Sequence, residues 1–225
     1  METNDRQYNF YAMLDRMQYI QRWGLMRNTR QENLKEHSFD VAVIAHALVL
    51  IHNEILKKEP IDPLLTMAEA LYHDVSEIIT GDLPTPIKYK NRELKTAYKA
   101  VEAQASESML ALLPDEMRNE YQALLLPNLE DEKRKEIHQL VKVADRLSAY
   151  LKCLMEEKAN NDEFRSAKES IETRPELRRS RILYGTFCST IWHDTGRNQQ
   201  VKERTWEISS EDYISCWLLW PACWA

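Results

Sequence analysis

Apolar residues recur at helical spacing along most of the chain. Over residues 9–21 the positions Phe10, Met13, Leu14, Met17 and Ile20 fall on one helical face and predict a first helix. A polar connection follows, RWGLMRNTRQEN, with three arginines and one glycine. Residues 36–56 are mostly apolar and predict a core helix rather than a surface one. Asp62 and Pro63 supply an N-cap and a first-turn proline for a third helix running to about Ile79, where TGDLPTP stops it. Residues 91–113 predict another helix, Pro114-Asp115-Glu116 starts a shorter one, and residues 131–160 give the longest. A last helix is expected over residues 161–181, with Pro175 as a point where it kinks or breaks. No segment shows sustained strand alternation, so the expected fold class is all-α.

Composition changes this picture at one place. The last 45 residues hold 8 of the 20 aromatics, 5 of the 6 tryptophans and 3 of the 4 cysteines, without a clean helical period. The expected organisation is therefore a helical domain of residues 1–180 and a tail of residues 181–225. So many tryptophans left in water would make an exposed apolar patch, so the tail is expected to pack on the body or to mediate association. Only 4 glycines argue against hairpin-rich folds and glycine-rich phosphate loops. A net charge of −6 gives no electrostatic footprint for a nucleic acid polymer or an anionic membrane. The longest apolar run, residues 41–51, is about half of the roughly 20 residues that a membrane span needs. No secretory signal is visible in METNDRQYNFYAML, and the cysteines lack CxxC spacing. The expectation is reduced thiols in a cytoplasmic protein.

The informative residues are histidines and acids inside apolar helices, where charge costs free energy unless it is paired or binds a metal. His73 and Asp74 stand in AEALYHDVSEIITGD, His37 in KEHSFDVAVIAHA, and Asp145 in VKVADRLSAYLK. Together they can form a mixed nitrogen and oxygen set that suits a divalent transition ion and leaves room for water or substrate. Such an ion lowers the pKa of water and provides a nucleophile near neutral pH. The plainer reading stands beside this one. A His-Asp pair is common by chance, His46 and His52 read as core or surface histidines, and Asp145 can be salt-bridged to Lys142 or Arg146. Glu77, three and four residues past Asp74 and His73, falls on the same helical face and can exchange a proton with water or a leaving group. Its alternative is a solvated acid near a helix C-terminus, where the dipole disfavours it. Arg22, with Trp23, Arg27 and Arg30, reads as a phosphate fork beside an aromatic wall, or as a basic surface loop.

The segments RWGLMRN, ENLKEHS, YHDVSEIITGDLPTPIKY and VKVADRLSAYLKCLMEE together closely resemble the bacterial 5′-deoxynucleotidases of the YfbR type, within the HD-domain metal-dependent phosphohydrolases. The resemblance covers roughly residues 8–180, and its specific part is HDxSExxTGDLPTPxKY rather than the His-Asp pair alone. It implies an HD helical bundle with His37, His73, Asp74 and Asp145 as metal ligands and Glu77 as the acid/base group. Arg22 and Trp23 would contact substrate, the arginine orienting the phosphate, with Asp74 and Asp145 also at the substrate. Asp82, Leu83, Pro84 and Thr85 would hold the deoxyribose and disfavour a 2′-hydroxyl. The implied substrates are deoxyribonucleoside 5′-monophosphates, the implied cofactor a divalent metal, and the implied assembly a homodimer. Cobalt is favoured in assays of the family; manganese or another transition metal is the alternative. Beyond about Arg181 the tail departs from the family, through divergence or a changed reading frame. Two other functions fit the same motifs: an HD phosphohydrolase of nucleoside triphosphates or cyclic nucleotides, and a non-catalytic nucleotide sensor.

Overall fold

The computed structural model describes residues 8–88 and 90–174. Among these residues every regular element is helical: α1 (Phe10–Asp15), α2 (Leu34–Leu50), α3 (Pro63–Tyr72), α4 (Glu77–Thr80), α5 (Thr85–Lys88), α6 (Arg92–Leu110), α7 (Asp115–Leu125), α8 (Glu132–Lys158) and α9 (Arg165–Glu172). The aromatic-rich tail lies outside the described residues.

Local chemistry sets several of the helix starts. Asn33 caps α2 through a capping box, its side chain accepting from Glu36 N at 3.0 Å while Glu36 accepts from Asn33 N at 3.2 Å. Asp62 caps α3 by accepting from Leu64 N and Leu65 N, with Pro63 in the first helical position. Asn91 and Asp131 cap α6 and α8 in the same manner. At its far end α2 widens into a π-helical turn, Ile51–Ile55. There Asn53 bonds both backbone groups of Ile61, closing the connection into α3.

Several expected boundaries move. The first helix ends at Asp15 and passes into a tight 3-10 turn, Arg16–Tyr19. The third ends at Tyr72, not Ile79. From His73 onward the backbone bonds shorten to three-residue steps, as in Val75 N to Tyr72 O and Glu77 N to Asp74 O. Glu77 is therefore the first residue of the short α4, not a late residue of α3. The last predicted helix is broken into a turn, Asp162–Phe164, and α9. Helix α2 with its π turn runs on from Leu34 to Ile55, long and apolar enough by length and composition to cross a membrane, yet half of that stretch is buried in the bundle. It is the core helix that its apolar pattern predicts.

Two apolar cores form around α2. The larger joins Val41, Ile44 and Leu48 of α2 to Leu140, Ala144 and Leu147 of α8. The smaller joins Leu34 at the start of α2 to Phe10, Met17, Val75, Met109 and Leu113. Between Leu34 and Val41 sits His37, fully buried at the seam of the two cores. Asp74 immediately precedes Val75 of the smaller core, and Asp145 follows Ala144 of the larger. Burial of the two apolar faces thus brings the polar residues between them to one place.

Candidate active site

Three helical segments contribute to the cluster. Helix α2 brings His37, the turn after α3 brings His73 and Asp74, and α8 brings Asp145. His37 Nε2 lies 3.3 Å from Asp145 Oδ1 and 3.7 Å from Asp74 Oδ2, and His73 Nε2 lies 3.1 Å from the same Asp74 oxygen. One ligand atom from each of His37, His73 and Asp74 falls within 4.8 Å of the others. The two imidazole rings are 5.4 Å apart.

The other ring nitrogens are already engaged. His73 Nδ1 donates to Ala70 O at 2.7 Å, since a carbonyl can only accept. In the neutral ring that bond leaves the Nε2 lone pair facing the carboxylates. His37 Nδ1 pairs with Ser148 Oγ at 3.2 Å. The Nε2 atoms of both histidines are buried and make no hydrogen bond. Buried polar atoms are rarely left so, which makes an inward-facing pair of them a mark of a ligand site. Two such nitrogens beside two carboxylates fit a divalent metal of the borderline transition class.

Electrostatics agree with the geometry. Burial works against the charge on His73, but the Asp74 carboxylate outweighs it and holds the ring up to about 9. His37 is pushed down, by burial first and then by the Arg22 guanidinium. Burial also opposes ionisation of Asp74 and Asp145. Against it, His73 holds the first far below the usual carboxylate range, and His37, with Nε2 3.3 Å from Oδ1, does the same for the second. A proton on His73 and a cation among these groups are alternatives, because each offsets the same negative charge.

Glu77 is buried, not solvated, and its Oε2 has no hydrogen-bond partner. Burial, then the charges of Asp74 and Asp82, push its carboxyl up to about 10. Arg22 reaches the cluster from the loop before α2, with Nη1 3.5 Å from Asp74 Oδ2. Asp82 lies within electrostatic reach of Arg22, Asp74 and His37. It follows Gly81, whose φ of +73° is a left-handed turn that glycine makes without strain. Leu83 and Pro84 continue the loop partly buried, and Thr85 is exposed at the start of α5. Arg27 is exposed near Glu163, and Asp145 also pairs with Arg146 at 3.4 Å. His52 is buried and bonds Glu59 O, a structural role.

Trp23 is held rather than free. It has a left-handed φ of +59°, sparsely allowed for a bulky residue, and its ring tilts on Phe164 with centroids 5.2 Å apart. A buried ion pair supports the loop behind it. Lys152 and Glu156, one turn apart on α8, meet at 2.5 Å, and Lys152 also bonds Arg30 O. Glu156 accepts from Thr29 N, Thr29 Oγ1 and Asn161 Nδ2. Burial opposes its charge, yet Lys152 and these donors bring it down to about 2. Glu156→Ala leaves the Lys152 ammonium buried without its partner. The expected cost is about 3–5 kcal/mol of unfolding free energy, read from a denaturant titration.

Sequence patterning did not single out Glu32, Ser148 or this clamp. Ser148 lies three residues after Asp145, a helical spacing that puts both on one face of α8. Glu32 sits in an aperiodic loop, and only the chain pairing of Gln21 with Asn33 brings it beside Arg22.

Residues 9–193 match the family described as YfbR-like, 5′-deoxynucleotidase YfbR-like. A 5′-deoxynucleotidase of Shewanella oneidensis is 47% identical over 164 residues, covering 73% of this chain and 82% of its own. The 5′-deoxynucleotidase YfbR of Salmonella typhi is 46% identical over 178 residues, 79% of this chain and 87% of that one. Among solved structures, an HD-domain phosphohydrolase from Listeria innocua superimposes with a TM-score of 0.69 at 21% identity, over 82% of this chain and 86% of the other.

Proposed function

The chain belongs to the YfbR-like 5′-deoxynucleotidase family and has the all-α HD-domain fold; from this premise we propose that it hydrolyses deoxyribonucleoside 5′-monophosphates at the cluster around His37, with residues 1–180 as the hydrolase domain and 181–225 as a tail. The observation that carries this reading is the pair of buried, unpartnered Nε2 atoms of His37 and His73 facing Asp74 and Asp145. These four residues would hold a divalent cation, with cobalt the first candidate and manganese the next. When bound, such an ion supplies Lewis-acid charge to a phosphoryl oxygen and lowers the pKa of water.

The protein's own groups do the rest. Arg22 orients the phosphate and offsets the charge that builds on its oxygens, where positioning and electrostatics dominate catalysis. The oxygen of water forms the new bond to phosphorus as the bond from phosphorus to the 5′-oxygen breaks. Glu77, held protonated by its surroundings, hands a proton to the leaving 5′-oxygen, and takes one from the attacking water when nearby negative charge is offset. Trp23, with Asp82, Leu83, Pro84 and Thr85, walls the nucleoside end. A packed surface there leaves a ribose 2′-hydroxyl without a partner, which costs binding.

The compartment proposed is the cytoplasm, where Cys153 would remain the buried free thiol it is here. The assembly proposed is a homodimer. Its support is apolar surface: Phe39, Val43 and Leu50 on α2, and Leu64, Met67 and Leu71 on α3, are exposed on two helices that pack together.

The test is phosphate release from each deoxynucleoside monophosphate with added cobalt or manganese. Release of one phosphate per deoxynucleoside is expected. No release from any of them, or release of triphosphate from a nucleoside triphosphate instead, would overturn the reading.

A further inference from the structure

Glu32 is a partly buried carboxylate that the hydrolysis above does not use, and it touches two members of the site. Its Oε1 accepts from Arg22 Nε at 2.8 Å and lies 3.7 Å from His37 Nδ1. The backbone binds the same residues together. Arg22 N donates to Glu32 O at 2.9 Å, Gln21 bridges Asn33, and Leu34 N donates to Ile20 O at 2.9 Å. The segment carrying Arg22 is thereby laced to the segment that opens α2, one turn before His37. A guanidinium has five donors in a rigid fork, so fixing one edge fixes the direction of the others. With Nε taken by Glu32, the terminal amino groups turn into the cluster, where Nη1 lies 3.5 Å from Asp74.

We propose that Glu32 is a positioning residue for the phosphate: it sets the angle at which Arg22 presents its terminal donors, and acts on the reaction only through that arginine. The inference rests on the phosphate-orienting reading of Arg22 given above. Glu32 also has a contact with His37, but there Ser148 is nearer the same nitrogen, at 3.2 Å. Loss of Glu32 therefore leaves the imidazole held and the guanidinium unheld.

A double-mutant cycle tests this. In the otherwise intact protein, Glu32→Ala is expected to lower kcat/KM by roughly 10–100-fold, the scale of a misplaced catalytic contact. Glu32→Gln restores most of it, because the amide oxygen still accepts the Nε hydrogen. In an Arg22→Ala background the same Glu32→Ala change is expected to alter kcat/KM by less than about threefold, since nothing remains to orient. Metal content per chain stays at the level of the parent in every Glu32 variant. Equal losses in both backgrounds, or metal lost with Glu32→Ala, would overturn the proposal. Should Glu32→Ala not fold, Glu32→Asp carries the same cycle. It keeps the charge but withdraws it by one methylene, and a loss confined to the Arg22 background is again the supporting result. Arg22→Ala serves as its own control. If it retains full activity, the reading of Arg22 fails; if it is impaired while the cycle is additive, only the role of Glu32 fails.

Discussion

Glu77→Ala is expected to lower kcat by about 10²–10⁴-fold, the range that proton transfer by a positioned side chain contributes. Metal content and deoxynucleotide binding should persist, because Glu77 is not among the groups facing the His37 and His73 nitrogens. The reason for so large an effect is the cost the fold already bears. A carboxyl that is buried, unpartnered at Oε2 and pushed up to about 10 by burial and by Asp74 is a poor structural choice. Removing it should leave thermal stability unchanged or raised, the pattern of a residue kept for activity at the expense of packing. Glu77→Gln sharpens the comparison. It copies the shape of the protonated acid but cannot release a proton, so binding stays and turnover falls. Single-turnover phosphate release, with nucleotide affinity and melting temperature alongside, checks all three. Unchanged turnover in either variant would remove Glu77 from the acid/base role.

Why the sequence showed some of this and not the rest follows from where the deciding forces act. The starts of α3, α6 and α8 were legible because a cap is a local bond between a side chain and a nearby amide, as with Asp62, Asn91 and Asp131. The end of α3 was not. No glycine or proline stands between Pro63 and Gly81, yet the helix stops at Tyr72. There the His73 ring takes the Ala70 carbonyl, and the backbone tightens to three-residue steps. Residue type alone does not announce that exchange, so spacing along one continuous helix misplaced Glu77, although the charge of Asp74 still acts on its carboxyl.

The polar cluster divides along a similar line. His37, His73, Asp74 and Asp145 stood out because ionisable groups inside apolar helices need a reason to be there. Glu32 had no such contrast, since its loop is polar throughout, and its meaning comes from the pairing of Ile20–Arg22 with Glu32–Leu34 across the chain. Glu156 stands near the end of the long α8, and no pattern in the sequence sets it apart from the other charges there. Only packing against Asn161 and the Thr29 loop turns it into a buried clamp.

Asp145→Ala is expected to strip the protein of metal. Groups that merely hydrogen-bond to a ligand contribute about 10–100-fold in affinity, so loss of a ligand itself should exceed about 100-fold. Elemental analysis after dialysis reads this directly, without reference to turnover. The competing account is that Asp145 is only a salt-bridged acid, because its second oxygen lies 3.4 Å from Arg146. The two accounts separate in one comparison. Arg146→Ala breaks that pair while leaving Oδ1 beside His37 Nε2, so metal content should hold; Asp145→Ala removes both contacts, and metal should go. Full occupancy in Asp145→Ala would refute its assignment as a ligand. It would leave His37, His73 and Asp74, whose ligand atoms lie within 4.8 Å of one another, as the groups able to hold the ion. Loss in both variants would mean that Arg146 holds the carboxylate in its ligating position, a result that keeps Asp145 at the metal and adds the arginine as its support.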